Sequence, residues 1–198
     1  MIVLVTGGSA SGKSEYAEGR ALSLAEAEHK KRIYLATMQP FGEDAARRIE
    51  RHRQLRAGKG FETVERYRDI EALITGESPE SEAFRHQATG SVVMLECLSN
   101  LTANEMFSGA EVDPEANIEM VKNKILKGID ALAEVADHLI IVSINVFDEG
   151  MQQYDVWTQA YIRCLGVLNQ ALTVKADEAV EVVYSIPVSY KEGPPCSL

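Results

Sequence analysis

The chain has 198 residues, 45% of them hydrophobic and 25% charged, the composition of an ordinary globular protein long enough to bury a full core. Its 20 basic and 30 acidic side chains leave a formal net charge of -10, which disfavours nucleic acid as a partner through phosphate contacts. No apolar run approaches the roughly 20 residues of a membrane helix, so no membrane span is expected.

The chain opens on Ile2-Val3-Leu4-Val5, a strand over Ile2–Thr6 rather than a signal peptide. Directly behind it, Gly7-Gly8-Ser9-Ala10-Ser11-Gly12-Lys13-Ser14 is a complete G-x-x-x-x-G-K-[ST] loop. Its glycines permit a tight cradle, and its backbone N–H groups and the following helix terminus face phosphates. In this pattern the lysine reaches the β/γ-phosphates and the serine hydroxyl takes a Mg²⁺ position, roles that fall to Lys13 and Ser14. Strand, loop and helix (Lys13–Glu28) follow in the order that the chemistry demands, so the chain is expected to bind a nucleoside triphosphate.

Further strands are expected near Arg32–Thr37, Glu62–Val64, Ser91–Glu96, His138–Ile144 and Glu178–Ile186. Helices are expected over Glu43–Arg56, Arg68–Ile74, Asn117–Ala136 and Tyr154–Lys175. This alternation predicts one α/β domain over residues 1–198, with a mainly parallel sheet and helices on both faces. Gly76–Gly90 and Ser108–Pro114 read as polar loops, and 190–198 as a flexible tail. Ligands of such sheets sit beyond the carboxyl ends of the strands. The cysteines Cys97, Cys164 and Cys196 lack disulfide or C-x-x-C spacing, pointing to a reduced, cytoplasmic compartment.

Two features carry further chemistry. Val92-Val93-Met94-Leu95-Glu96 is an apolar strand ending in a carboxylate. Glu96 is read either as a Mg²⁺ partner opposite Ser14 or as a solvated strand-end acid. The second feature, Arg47 to Arg56, holds five arginines within ten residues of an acidic chain. Arg48, His52 and Arg56 share a helical stripe. Guanidinium neighbours disfavour the imidazolium form, leaving His52 the neutral nitrogen that a phosphorus-attacking nucleophile needs. Composition alone favours the plainer reading, a solvated basic face with an incidental histidine.

Several other residues read as structural. His29 and His86 are solvent-exposed bystanders, and His138 packs or caps a strand. Trp157 and Tyr161, spaced i, i+4, pack against the core. Asp148-Glu149 is a hydrophilic turn, with a kinase-step base as the alternative.

The sequence resembles the bifunctional adenosylcobinamide kinase / adenosylcobinamide-phosphate guanylyltransferase family of cobalamin biosynthesis. The likeness rests on the opening strand and loop, Tyr34-Leu35-Ala36-Thr37, and Arg48-Ile49-x-x-His52-Arg53-x-x-Arg56. It continues through Thr63-x-Glu65, Leu95-Glu96-Cys97-Leu98 with Thr102 and Asn104, then Asn169-Gln170, Ala176-Asp177-Glu178 and Lys191. The family's Asn-Glu-Val-Gly-x-Gly-x-Val-Pro loop is replaced by Ser143–Met151, its Arg-Pro by Arg56-Ala57, its following Trp by Phe61, and a late glycine near Ser185.

The resemblance implies a RecA-like P-loop fold and a homotrimer. It implies phosphorylation of adenosylcobinamide by ATP or GTP, then transfer of GMP from GTP through guanylylated His52 to adenosylcobinamide phosphate. Catalytic roles fall to His52 and Lys13, nucleotide contacts to residues 7–14, Thr37, Met38, Arg53, Arg56, Glu65 and Glu96, and Mg²⁺ to Ser14 and Glu96. The alternatives are a P-loop kinase of another small alcohol and a nucleotide-gated interaction protein.

Overall fold

The structure, a computed structural model, describes residues 1–108, 113–145 and 154–193, without the side chains of 44, 45, 48 and 55. The chain runs β1 (Ile2–Thr6), α1 (Lys13–Ala27), β2 (Arg32–Ala36), α2 (Gly42–Arg56), β3 (Phe61–Glu65), α3 (Ala72–Thr75), α4 (Pro79–Ala88), β4 (Val92–Glu96), α5 (Leu98–Met106), α6 (Pro114–Val135), β5 (His138–Val142), α7 (Val156–Lys175), β6 (Glu178–Val183) and β7 (Ile186–Lys191). The strands form one seven-stranded sheet ordered β3-β2-β4-β5-β1-β6-β7. Every pairing is parallel except β6 with β7.

The central strands are apolar on both faces because both are covered, the pattern of a parallel sheet. Val3 and Val5 of β1 pack with Ala17, Ala21 and Leu24 of α1, together with Val92 and Met94 of β4. Leu4 points the other way, into a larger core with Ile125, Ile129 and Leu132 of α6 and Leu165, Leu168 and Leu172 of α7. The small alanines of α1 let it lie close across β4 and β5. That approach carries the end of the phosphate loop over the intervening β5 to the tip of β4.

Several expectations required correction. Gly76–Gly90 is not a loop: it holds α4, whose N-cap Ser78 accepts from Ser81 N with Pro79 in the first turn, a strong helix start in polar sequence. The helix expected over Arg68–Ile74 shrinks to Ala72–Thr75, because Asp69 has a left-handed φ of 51° that interrupts a right-handed helix. The run from Glu178 to Ile186 is not one strand. It turns back at Tyr184-Ser185, so Tyr190 and Lys191, expected in the tail, belong to β7. Helix α5 was not anticipated. No helix among the described residues is long and apolar enough to cross a membrane.

Candidate active site

Strand β1 delivers the phosphate loop at its carboxyl end. Gly12, with φ 92°, immediately precedes the first residue of α1, a left-handed position open to glycine. Ser11 N donates to Gly8 O at 3.3 Å, and Lys13 Nζ folds back onto the same carbonyl at 2.9 Å. The lysine is thus tethered over the mouth of its own loop.

Strand periodicity decides what surrounds it. Val92, Met94 and Glu96 alternate onto the face covered by α1. The register then aligns Tyr34 with Thr63 and Met94, and Ala36 with Glu65 and Glu96. Tyr34, Ala36, Thr63, Glu65 and Glu96 therefore line one side of a cleft, with Met38 and Asn100. Helix α2 supplies the other side through Ile49, His52, Arg53 and Arg56. Arg53 and Arg56 stand in its last turn, where cations complement the helix terminus. Lys59, just beyond α2, donates to Glu18 Oε2 on α1 at 2.5 Å and ties the two helices together.

Glu96 joins the cleft to the phosphate loop. Its Oε1 accepts from Ser14 Oγ at 2.9 Å, while Oε2 is buried with no hydrogen-bond partner among the described residues. Burial raises its carboxyl to about 7, opposed mainly by the Ser14 hydrogen bond and then the Lys13 charge. A hard divalent cation takes oxygen donors. A buried, unpaired carboxylate oxygen beside a serine hydroxyl fits Mg²⁺.

Arg56 is buried, its guanidinium stacked 3.4 Å from the Tyr34 ring centroid. Its Nη1 has no hydrogen-bond partner among the described residues, a donor left for an anionic ligand. Arg53 lies more in solvent and donates to Glu65 at 3.0 Å. Glu65 is held below the usual carboxylate range, first by the Tyr67 hydroxyl and then by Arg53.

The structure gathers most of the expected site residues. His52, Met38, Arg53, Arg56, Glu65 and Glu96 line one cleft, and residues 7–14 adjoin it through Ser14. Thr37 does not line it. Thr37 is fully buried, and its hydroxyl accepts from Cys97 N at 2.7 Å and donates to Cys97 O at 2.8 Å. It holds the backbone after Glu96 from beneath. The side chain of Arg48 and residues Asp148-Glu149 lie outside the described residues. Tyr34 was not expected in the site, whereas Asn100 falls beyond the carboxyl end of β4, where ligands of such sheets are expected. Asn100 had one usable signal, its place one helical turn beyond the carboxylate that ends β4.

The remaining histidines lie elsewhere. His29 and His86 are exposed, and His138 Nε2 contacts Glu28 Oε1 at 2.9 Å. Trp157 and Tyr161 pack on Phe107.

Comparison with known proteins gives the arrangement its relatives. Residues 3–190 match the family model described as cobinamide kinase / cobinamide phosphate guanyltransferase. The bifunctional adenosylcobalamin biosynthesis protein CobU of Escherichia coli K12 is 29% identical over 96% of this chain and 100% of its own length. Its Salmonella typhimurium counterpart is 28% identical over the same shares. The flagellar accessory protein FlaH of Methanocaldococcus jannaschii, 13% identical, superposes with a TM-score of 0.50 over 97% of this chain and 78% of its own, a likeness of fold alone. The fold is that of RecA-like P-loop NTPases, and the chain belongs to the cobinamide kinase / cobinamide phosphate guanyltransferase family.

Proposed function

We propose that this enzyme performs two successive transfers onto one corrinoid, the second through a covalent intermediate on His52. In the first, the hydroxyl oxygen of adenosylcobinamide attacks the γ-phosphorus of ATP or GTP. The bond to the β,γ-bridging oxygen breaks, a nucleoside diphosphate leaves, and the hydroxyl proton passes to solvent or a nearby base. In the second, a neutral ring nitrogen of His52 attacks the α-phosphorus of GTP and pyrophosphate departs. A phosphate oxygen of adenosylcobinamide phosphate then displaces the imidazole, giving adenosylcobinamide-GDP. Dividing the nucleotidyl transfer in this way is ordinary covalent catalysis.

The reading is carried by one observation: Glu96, hydrogen-bonded to Ser14 of the phosphate loop, lines the same cleft as His52. Lys13 and the loop N–H groups would hold the triphosphate, while Arg56 and Arg53 would neutralise charge on the phosphorus under attack. Mg²⁺, held by Ser14 and Glu96, would supply electrostatic stabilisation of the phosphate oxygens. Thr37 serves the site from below by fixing the Glu96–Cys97 backbone. By resemblance, the working form is a cytoplasmic homotrimer.

The reading is tested by separating the two transfers in one variant. His52→Ala should phosphorylate adenosylcobinamide at close to the normal rate yet form no adenosylcobinamide-GDP. Normal formation of that product by His52→Ala would refute the covalent route.

A further inference from the structure

The hairpin at the far edge of the sheet is seated on the phosphate loop by its turn. Val183 pairs with Ile186 across antiparallel β6 and β7, leaving Tyr184 and Ser185 as a two-residue connection. Both have left-handed backbone, with φ of 50° and 63°. A two-residue hairpin of this hand ordinarily uses Asn-Gly or Asp-Gly, which tolerate positive φ. Tyrosine in that conformation is strained, and strain of this kind gathers at ligand-binding positions. No packing of the ring offsets it, since Tyr184 is 91% exposed.

The seat is close. Ser185 N donates to Ser11 O at 2.8 Å. A Cβ on Gly12 would lie 2.7 Å from Ser185 Oγ, and one on Gly7 would lie 2.5 Å from Val182 O. Two glycines of the phosphate loop thus make room for this hairpin. Tyr184 is one peptide unit, about 3.8 Å of backbone, from the residue in contact with the loop. Its ring stands on the β6–β7 side of β1, whereas the His52 cleft lies over β3, β2 and β4.

A nucleotide with its phosphates in the loop has its base on one side of β1 or the other. On the cleft side it meets His52 and the arginines. On the hairpin side it meets an exposed aromatic ring. We infer that Tyr184 is a stacking platform for the nucleobase of a nucleoside triphosphate held by residues 7–14, a subsite separate from the His52 cleft. The inference rests on the phosphate-loop reading above. Ring stacking is indifferent to which purine is bound, because every base offers a π-face.

The test compares ATP with inorganic triphosphate, which has no base, by calorimetry in the presence of Mg²⁺. Three forms of the full chain are needed: native, Tyr184→Phe and Tyr184→Asn, asparagine being at ease with left-handed backbone. The native chain and Tyr184→Phe should bind ATP alike, while Tyr184→Asn should lose about ten-fold in ATP affinity. All three should bind inorganic triphosphate equally. Unchanged ATP affinity in Tyr184→Asn would overturn the platform. An equal loss for ATP and triphosphate would also overturn it, because the residue would then act through the shape of the loop. A native chain that binds neither ligand would instead refute the phosphate-loop reading itself.

Discussion

Ser14, in the first turn of α1 behind β1, and Glu96, at the end of β4, belong to strand units separated by β5, yet the serine hydroxyl donates to the carboxylate at 2.9 Å. The contact exists because the alanine face of α1 lets that helix cross β5 closely. Its consequence is a carboxyl group that burial raises to about 7, within the range where cells operate.

Glu96 therefore makes two pH-dependent predictions. Protons and Mg²⁺ compete for the carboxylate, so Mg²⁺-dependent ATP affinity should fall up to ten-fold per pH unit below about 7 and level off above it. Stability has the opposite sign. The folded pKa lies above the ordinary value of 4.5, so the folded state binds the extra proton and loses stability as pH rises from about 4.5 through about 7. Glu96→Gln, which mimics the protonated form, should flatten both profiles. At pH 8 it should gain stability by an amount on the order of 1–3 kcal/mol in urea melts, while binding Mg-ATP weakly. Retention of the native binding profile would show that Glu96 does not titrate in the site.

Arg56 separates function from folding. Its guanidinium is buried on Tyr34 with an unpaired nitrogen, so the cation contributes little net stability there. Arg56→Met keeps the hydrophobic bulk and should change stability by less than about 1 kcal/mol. Guanylyl transfer should fall about a hundred-fold, as for loss of one charge-stabilising donor. Steady-state rates beside a denaturant titration read both effects.

Lys59 behaves in the opposite way. Its partner Glu18 is almost wholly buried, with 2% of its side chain exposed. Lys59→Ala would strand that carboxylate at a cost of about 3 kcal/mol. The double variant Glu18→Gln/Lys59→Ala should recover most of the loss, because no charge remains buried. Equal urea midpoints for the single and double variants would contradict this account.

Lys13→Ala should abolish both transfers, because each needs the triphosphate anchored, while the melting curve should hardly move. Among the described residues the Lys13 side chain donates to Gly8 O at an exposed position, and a single exposed contact of that kind carries little stability. A radiolabel transfer assay with each nucleotide checks the two activities separately.

The sequence made some of this legible and hid the rest for identifiable reasons. The strand–loop–helix at the start could be read because its glycines, lysine and serine are fixed in spacing by phosphate geometry. Glu96 stood out as a charge ending an apolar run, and Arg53, Arg56 and Glu65 through resemblance. Helix α4 was hidden by its polar composition, although Ser78-Pro79 with Glu82 is a helix start. The β6–β7 turn was hidden because Tyr184-Ser185 lacks the glycine or asparagine that marks such turns. Tyr34 joins the site only through strand register, which local pattern does not encode, whereas Asn100 was marked only by its place beyond the end of β4. Thr37 was named as a nucleotide contact through resemblance alone, and the role of its hydroxyl on Cys97 is visible only in the fold.

The central claim is that the His52 imidazole receives the guanylyl group. Incubation with Mg²⁺ and α-labelled GTP, followed by peptide mass spectrometry, measures it directly. The account predicts one guanylyl group on the peptide containing His52, labile to acid, stable to base, and absent from His52→Ala. Label on another residue, or continued labelling of His52→Ala, would contradict it.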